Sequence, residues 1–489
     1  MGREKLEVRK DQQKLTKKGG FNNRLFKIKL LGAVWFGKVL IVFTRILGRG
    51  GTTLPGRAAL RIEPGLSSAL TARLAEGSLV ITGTNGKTTT SALITGMLKE
   101  AGFSCIHNQS GSNMSWGVAS ALIGSTSWSA YPVGDCAVME VDEGAFPGVV
   151  KGIKPRGVVV TNIYRDQLDR YGEIDLIKNS IKIGLEVQPT DGFQVINADD
   201  PSLVGIADNS KTKRWTYGLE LDLPVDQFQT GGRDIKTCPR CHKKLAYDKI
   251  YFAHIGHYHC PFCSYKRPEP DVKLVNRTIN PDGTALLQIS LPGENFELNF
   301  PLIGTYNLYN ILAAVTCAKA LAIPTAFIIK ASEKAVPSFG RMELFEFNGK
   351  KITMALIKNP VGANEVLRTL LAQKNRIKLL VAINDKIADG TDVSWLWDVD
   401  FEQLVAIKDN LSTIIVSGLR AWDMAVRLKY AGFNPDQIKV EEDTAMAIVQ
   451  TLEQSTPEEM LFILPTYTAM LEIRRHLNKM GLGKPYWED

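Results

Sequence analysis

The stretch Leu79–Thr90, LVITGTNGKTTT, constrains the fold of this chain more than any other. A short apolar, β-branched run (Leu79, Val80, Ile81) passes into Thr82-Gly83-Thr84-Asn85-Gly86-Lys87-Thr88-Thr89, and a helical pattern begins at Ser91-Ala92-Leu93-Ile94. Strand, glycine-rich turn and helix N-terminus, in that order, aim backbone N–H groups and the positive end of a helix dipole at one anion. Lys87 is placed to reach the β- and γ-phosphates of a nucleotide, and the Thr88 or Thr89 hydroxyl to ligate Mg²⁺. Strict phosphate-loop spacing asks for a glycine five residues before Gly86, where Ile81 stands. The strand and helix context still favours an ATP site over a glycine turn with an incidental lysine. Its phosphate end would be Gly83, Thr84, Asn85, Gly86, Lys87, Thr88 and Thr89.

A chain of 489 residues is too long for one core, and its length suggests about three domains. Of the net charge of +8, residues 1–50 carry +10 (13 Lys/Arg against 3 Asp/Glu), which leaves −2 for the rest. A near-neutral body argues against a broad nucleic-acid surface. In the basic arm, Phe26–Leu47 is apolar but broken by Lys27, Lys29, Lys38 and Arg45. It has no signal-peptide layout, and no apolar run reaches the roughly 20 residues of a membrane span. Two readings fit: a basic amphipathic helix lying on an anionic membrane, or a helix packed on the body. Gly48–Gly56 reads as the linker that follows.

Beyond the phosphate loop, strands and helices alternate in the doubly wound α/β manner. Asp135–Glu140 reads as a buried strand delivering Glu140, then Asp142 and Glu143, to the sheet edge where ligands bind, so that Glu140 is placed to help hold Mg²⁺. Val158–Thr161 is a second such strand, followed by Asn162 and Arg165-Asp166-Gln167-Leu168-Asp169-Arg170-Tyr171-Gly172. A third is Phe193–Ile196, followed by Asn197-Ala198-Asp199-Asp200.

Cys238-Pro-Arg-Cys241 and Cys260-Pro-Phe-Cys263 lie 18 residues apart, the spacing of a four-thiolate structural zinc ribbon. Four thiolates close the coordination sphere, so this metal is structural or partner-binding, and Tyr247–Phe252 between the pairs is hairpin material. Cys105, Cys136 and Cys317 read as core residues. A second α/β unit follows: Lys358-Asn359-Pro360-Val361-Gly362-Ala363-Asn364, then the apolar strand Ile377–Ile383 running into a loop with Asp385, Asp389 and Asp392. Strands at Thr413–Ser417 and Met460–Leu464 and a helix ending near Leu477 complete it. The chain thus divides into a basic arm with an amphipathic helix (1–55), an ATPase domain carrying the ribbon at about 230–270 (56–335), and a C-terminal α/β domain (336–489).

TGTNGKTT, the Glu140 strand, TNIYRDQLDRYG, INADDP, GTYNLYNILAA (Gly304–Ala314) and FGRME (Phe339–Glu343) fall in the order found in the Mur ligases and folylpolyglutamate synthases. The chain resembles that family over about Leu79–Glu343. The resemblance implies a P-loop ATPase domain that joins an amine to a carboxylate through an acyl phosphate. Lys87 and Thr88 would meet phosphate and Mg²⁺, Glu140 would hold Mg²⁺, Asn307 or Asn310 would lie near adenine, and Arg341 would meet the nucleotide. The chain departs from the family at Gln167 and Tyr306, where histidines are usual, and near Ile181, where the family's carbamylated lysine falls and the nearest lysines are Lys182, one residue away, and Lys178, three away.

The ribbon, KNPxGxN and NDxxADGxDVSWxWD together resemble one branch of the family, the synthetase subunits of lipid II isoglutaminyl synthase. That resemblance implies a heterodimer with a GatD-type glutamine amidotransferase. ATP would activate the D-glutamate α-carboxylate of the lipid II stem peptide, and ammonia from the partner would give D-isoglutamine. It also implies a cytoplasmic location at the inner face of the membrane. In that branch a C-terminal aspartate completes the partner's Cys-His pair; Asp392 is the first choice here, then Asp389, then Asp385. The alternative is a Mur- or folylpolyglutamate-type amino acid ligase.

Overall fold

A computed structural model describes residues 24–47, 51–108, 112–165, 174–208, 210–222, 235–280, 284–302, 304–337, 340–373 and 375–482. The segment Asp166–Gly172 and Phe339, which carry two of the sequence motifs, lie outside the described residues, as does the chain before Arg24.

The first sheet has nine strands: β1 (Ser78–Thr82), β2 (Cys105–His107), β3 (Cys136–Glu140), β4 (Gly157–Val160), β5 (Phe193–Asn197), β6 (Lys213–Leu219), β9 (Val272–Ile279), β10 (Ala285–Leu291) and β11 (Glu294–Phe300). Their spatial order is β11-β10-β9-β6-β5-β4-β1-β3-β2. The pairings from β2 to β9 are parallel, and β10 and β11 form an antiparallel extension. β1, β3, β4 and β5 are buried along their whole length, as strands covered on both faces must be. The strand order reverses beside β1, and the phosphate loop leaves its carboxyl end there.

The helix after β1 runs Lys87–Glu100, four residues earlier than the apolar pattern suggests. Thr88, Thr89 and Thr90 are weak helix formers that hide the start from a sequence reading. Tertiary contacts decide it, because Thr89, Thr90 and Ser91 are buried.

Between β6 and β9, β7 (Ala246–Phe252) and β8 (Ile255–His259) pair as an antiparallel hairpin bearing the four cysteines at its base. The second sheet orders β12 (Glu343–Phe347), β13 (Lys350–Met354), β17 (Met460–Pro465), β14 (Ile377–Ala382), β15 (Leu411–Ser417) and β16 (Ile438–Val440). All its pairings but β12–β13 are parallel.

The helix Arg24–Ile46 buries Leu30, Ala33, Val34, Gly37, Ile41 and Thr44. It packs on the helices Leu54–Ile62 and Ser115–Gly124 and shares a core with the body. Its other face leaves Trp35, Val39, Val42, Phe43 and Ile46 exposed. Among the described residues no helix is long and apolar enough to cross a membrane. Cys105 and Cys136, expected as scattered core residues, are register partners on β2 and β3, with Sγ atoms 3.1 Å apart.

Candidate active site

The phosphate loop is clamped by the segment that follows β4. Asn85 N–H donates to Asn162 Oδ1 (2.9 Å), Asn162 Nδ2 and Thr161 Oγ1 donate to the Asn85 carbonyl (3.0 and 2.7 Å), and Thr84 N–H donates to the Asn162 carbonyl (3.0 Å). Gly83 and Gly86 both have positive φ, 117° and 85°. A Cβ on Gly83 would sit 2.4 Å from Thr161 Oγ1, and one on Gly86 would sit 2.2 Å from Asn310 Oδ1. Both glycines are therefore demanded by the loop's neighbours as well as by backbone sterics. Gly86 begins the helix, and no side chain caps it. An anion is thus a fitting cap for this helix start.

Lys87 is buried. Its Nζ donates to the Gly83 carbonyl (2.5 Å) and pairs with Glu143 Oε2 at 3.0 Å. Glu143, three residues past the end of β3, is the carboxylate that meets the phosphate-loop lysine. Glu140 ends β3 in register with Ile81 and is buried, its backbone bonded both ways to the Asn108 side chain (2.8 Å each).

A cleft opens beside the loop, between the first sheet and the second domain. Asn85, Gly86, Thr89, Asn310 and Arg341 all line it, so five of the expected nucleotide residues meet in one place. Asn307 lies behind, accepting from Asn310 Nδ2 (3.0 Å) on the helix Thr305–Ala320. Gly83, Thr84, Lys87 and Thr88 complete the loop outside the cleft's lining. Tyr306, in the usual histidine position, faces the cleft, its hydroxyl pushed up to about 12 by burial.

The second domain forms the opposite wall. Asn359 caps the helix Pro360–Leu371 by accepting from Gly362 N–H (2.8 Å). The Asn359 amide also exchanges hydrogen bonds with Asn85, Nδ2 to Oδ1 at 3.1 Å and the reverse at 3.3 Å. This reciprocal bridge joins the phosphate loop to the C-terminal domain. Only half of it was legible in KNPxGxN, as a loop after a strand.

The three aspartates lie at the carboxyl edge of the second sheet, away from the cleft lining. Asp389 is buried and accepts from Thr468 N–H (2.6 Å), bracing the start of the helix Tyr467–Lys479; burial raises its pKa against those bonds. Asp385 pairs with Arg420 (2.6 Å). Asp392 is half-exposed and accepts from Ser394 N–H (2.8 Å). Around them Ile387, Leu419 and Trp422 are exposed.

The metal-ligating atoms of Cys238, Cys241, Cys260 and Cys263 lie within 4.8 Å of one another. Sγ separations of 3.7 Å (Cys238–Cys263) and 3.4 Å (Cys241–Cys260) are close to the roughly 3.8 Å edge of a tetrahedral zinc–thiolate centre. Arg240 N–H donates to Cys238 Sγ (3.4 Å), as in a metal knuckle. The donor set fits Zn²⁺.

A doubly wound domain with an uncapped phosphate-loop helix, facing a second parallel sheet across a shared cleft, defines a ligase of the Mur type. The Mur ligase middle-domain model matches residues 81–238, and the MurT ligase C-terminal model matches residues 356–470. The chain belongs to the MurT family. It is 34% identical over 452 residues to the lipid II isoglutaminyl synthase (glutamine-hydrolyzing) subunit MurT of Staphylococcus aureus (strain COL), covering 92% of this chain and 98% of that protein. The Streptococcus pneumoniae (strain ATCC BAA-255 / R6) counterpart is 34% identical over 88% of this chain and 93% of its own length. In fold the chain is similar to a pseudomurein peptide ligase type C from Methanothermus fervidus (TM-score 0.63, 22% identity, 82% of this chain and 78% of that one). It is also similar to MurF ligase from Thermotoga maritima in complex with ADP (TM-score 0.60, 15% identity, 86% and 84%).

Proposed function

We propose that this protein is the synthetase subunit of a glutamine-dependent amidating enzyme acting on the D-glutamate α-carboxylate of the lipid II stem peptide. The observation that carries the reading is the one cleft in which an uncapped phosphate-loop helix meets the domain matched by the MurT model. A carboxylate resists ammonia until one of its oxygens becomes a leaving group. Its oxygen attacks the γ-phosphorus of ATP, ADP departs, ammonia adds to the acyl carbon, and inorganic phosphate leaves.

Lys87 and the backbone N–H groups at the start of the helix stabilise charge on the transferring phosphoryl group. Thr88 and Glu140 would hold Mg²⁺, which supplies further neutralisation of the phosphate oxygens. Asn310 and Arg341 bind the rest of the nucleotide. The four cysteines hold Zn²⁺ as a structural centre.

Ammonia comes from a GatD-type glutaminase seated on the carboxyl edge of the second sheet, where Ile387, Leu419 and Trp422 offer it apolar surface. Asp392 orients the histidine of the partner's Cys-His pair. Of the three aspartates it has the lightest local duty, since Asp389 braces a helix and Asp385 an arginine. A lipid-linked substrate puts the enzyme at the inner face of the membrane. The exposed apolar face of Arg24–Ile46, flanked by Lys38 and Arg45, suits an anionic bilayer surface.

Co-expression with the glutaminase, copurification, and mass spectrometry of lipid II after incubation with ATP and glutamine test this reading. A loss of about 1 Da, the exchange of –OH for –NH2, is expected. Addition of a whole amino acid, or amidation from glutamine by this chain alone, refutes it.

A further inference from the structure

The metal-bearing hairpin does not stand apart from the nucleotide cleft. β8 runs directly into the ligand Cys260, and at its other end the hairpin turns at Ala253-His254, with Phe252 and Ile255 paired across the turn. Phe252 is buried and lines the cleft together with Gly86, Thr89 and Asn310. Its ring packs edge-on against Tyr309 (centroids 5.5 Å, 78°) and tilted on Tyr164 (6.2 Å), both also cleft residues.

The tip is held in place from both sides. Gly256 N–H donates to the Asp199 carbonyl (3.0 Å), and Tyr251 Oη donates to the Leu219 and Leu221 carbonyls (3.0 and 3.1 Å). Arg267, four residues past Cys263, donates through Nε to Asp199 Oδ1, and Tyr309 Oη donates to Oδ2 of the same carboxylate, each at 2.6 Å. Asp199 is fully buried, so it ties the ribbon to the helix that bears Asn307 and Asn310 with little freedom.

From this we infer that the ribbon is a working part of the nucleotide site: its tip sets Phe252 as an aromatic wall against the nucleoside, and the metal-held base fixes that wall. The ribbon tip thus acts at the nucleoside end of the cleft and leaves the phosphate end to the loop. The inference rests on the nucleotide reading above, and aromatic contact of this kind contributes enough to be measured.

The test is calorimetric titration of the full-length, zinc-replete protein with MgATP and, separately, with inorganic tripolyphosphate, for wild type, Phe252→Ala and Phe252→Leu. The alanine variant is expected to bind MgATP about tenfold more weakly, equivalent to about 1.4 kcal/mol. The leucine variant, which keeps apolar volume and serves if alanine fails to fold, should lose affinity in the same direction. Tripolyphosphate affinity and zinc content should stay at wild-type values. MgATP affinity within twofold of wild type in the folded variants, or an equal loss for tripolyphosphate, overturns the inference. A wild-type protein that binds no MgATP overturns the nucleotide reading itself, so the two failures are distinct.

Discussion

Removing Lys87 should abolish the chemistry, but the structure says it should also damage the fold. Lys87 and Glu143 form an ion pair 3.0 Å apart, with side chains only 7% and 4% exposed. Truncating one partner of such a pair leaves the other charge buried, which costs about 3–5 kcal/mol. For a domain of this size each kcal/mol moves the melting temperature by roughly 2–4 °C, so Lys87→Ala should melt about 6–20 °C below wild type. Lost activity in that variant would then be ambiguous. The remedy is a double-mutant cycle. Glu143→Gln keeps the shape and removes the stranded charge, so Lys87→Ala/Glu143→Gln should recover most of the melting temperature and none of the amidation. Thermal melting by near-ultraviolet circular dichroism, with lipid II amidation by mass spectrometry, gives both readouts. If Lys87→Ala melts like wild type, the buried pair does not exist in solution. If the double variant amidates, Lys87 has no part in phosphoryl transfer.

Replacing Cys238 and Cys241 by serine should abolish zinc binding and lower the melting temperature by several degrees, because the ribbon is packed on Asp199 and Pro201 through Arg267 and Tyr265; an unchanged melt with zinc lost would refute a structural centre. Asp392→Asn should slow glutamine hydrolysis by the complex while MgATP affinity holds, whereas Asp389→Asn should chiefly lower stability; the reverse pattern would move the triad role to Asp389. His107, its pKa lowered to about 4 by burial, stays neutral in the fold and protonates near pH 6.5 when unfolded. Its share of stability is thus complete above about pH 6.5 and falls, by up to about 3 kcal/mol, as pH drops towards 4. Chemical unfolding followed across that window should show a shallower decline in His107→Gln, and parallel profiles would refute the assignment.

What the sequence disclosed follows how local each interaction is. The phosphate loop was legible because strand, turn and helix start lie within twelve consecutive residues and each obeys a local rule. The cysteine quartet was legible because metal geometry fixes the spacing within each pair. The Asn85–Asn359 bridge joins positions 274 residues apart, and neither asparagine differs locally from an ordinary turn or cap residue. Glu143 was visible as one of three carboxylates after a strand, but which of them meets Lys87 depends on how the chain turns after β3. Phe252 looks in the sequence like ordinary hairpin material, since an aromatic residue in a short strand is normal core composition. The aspartate loop gave its location and not its division of labour. That required seeing which carboxylate faces Thr468, which faces Arg420 and which faces solvent.

The same distinction explains how the site is assembled. Its phosphate end is one contiguous segment, held in shape by Thr161, Asn162 and Glu143. Its nucleoside end is made by the hairpin tip, the asparagine helix and Arg341, and its far wall by the second domain through Asn359. The loop of the three aspartates belongs to that same second domain, and the turn following it reaches back to the first: Asp398 pairs with Arg165 (3.5 Å), three residues beyond the Asn162 that clamps the phosphate loop. Both residues are well exposed, so the pair adds little stability. Its consequence is geometric. With Asn359 on Asn85 and Asp398 on Arg165, the surface proposed to seat the glutaminase and the loop proposed to hold the triphosphate are tied by contacts between the two domains. A rotation of the second domain large enough to open the nucleotide site must therefore also move the surface from which ammonia is delivered.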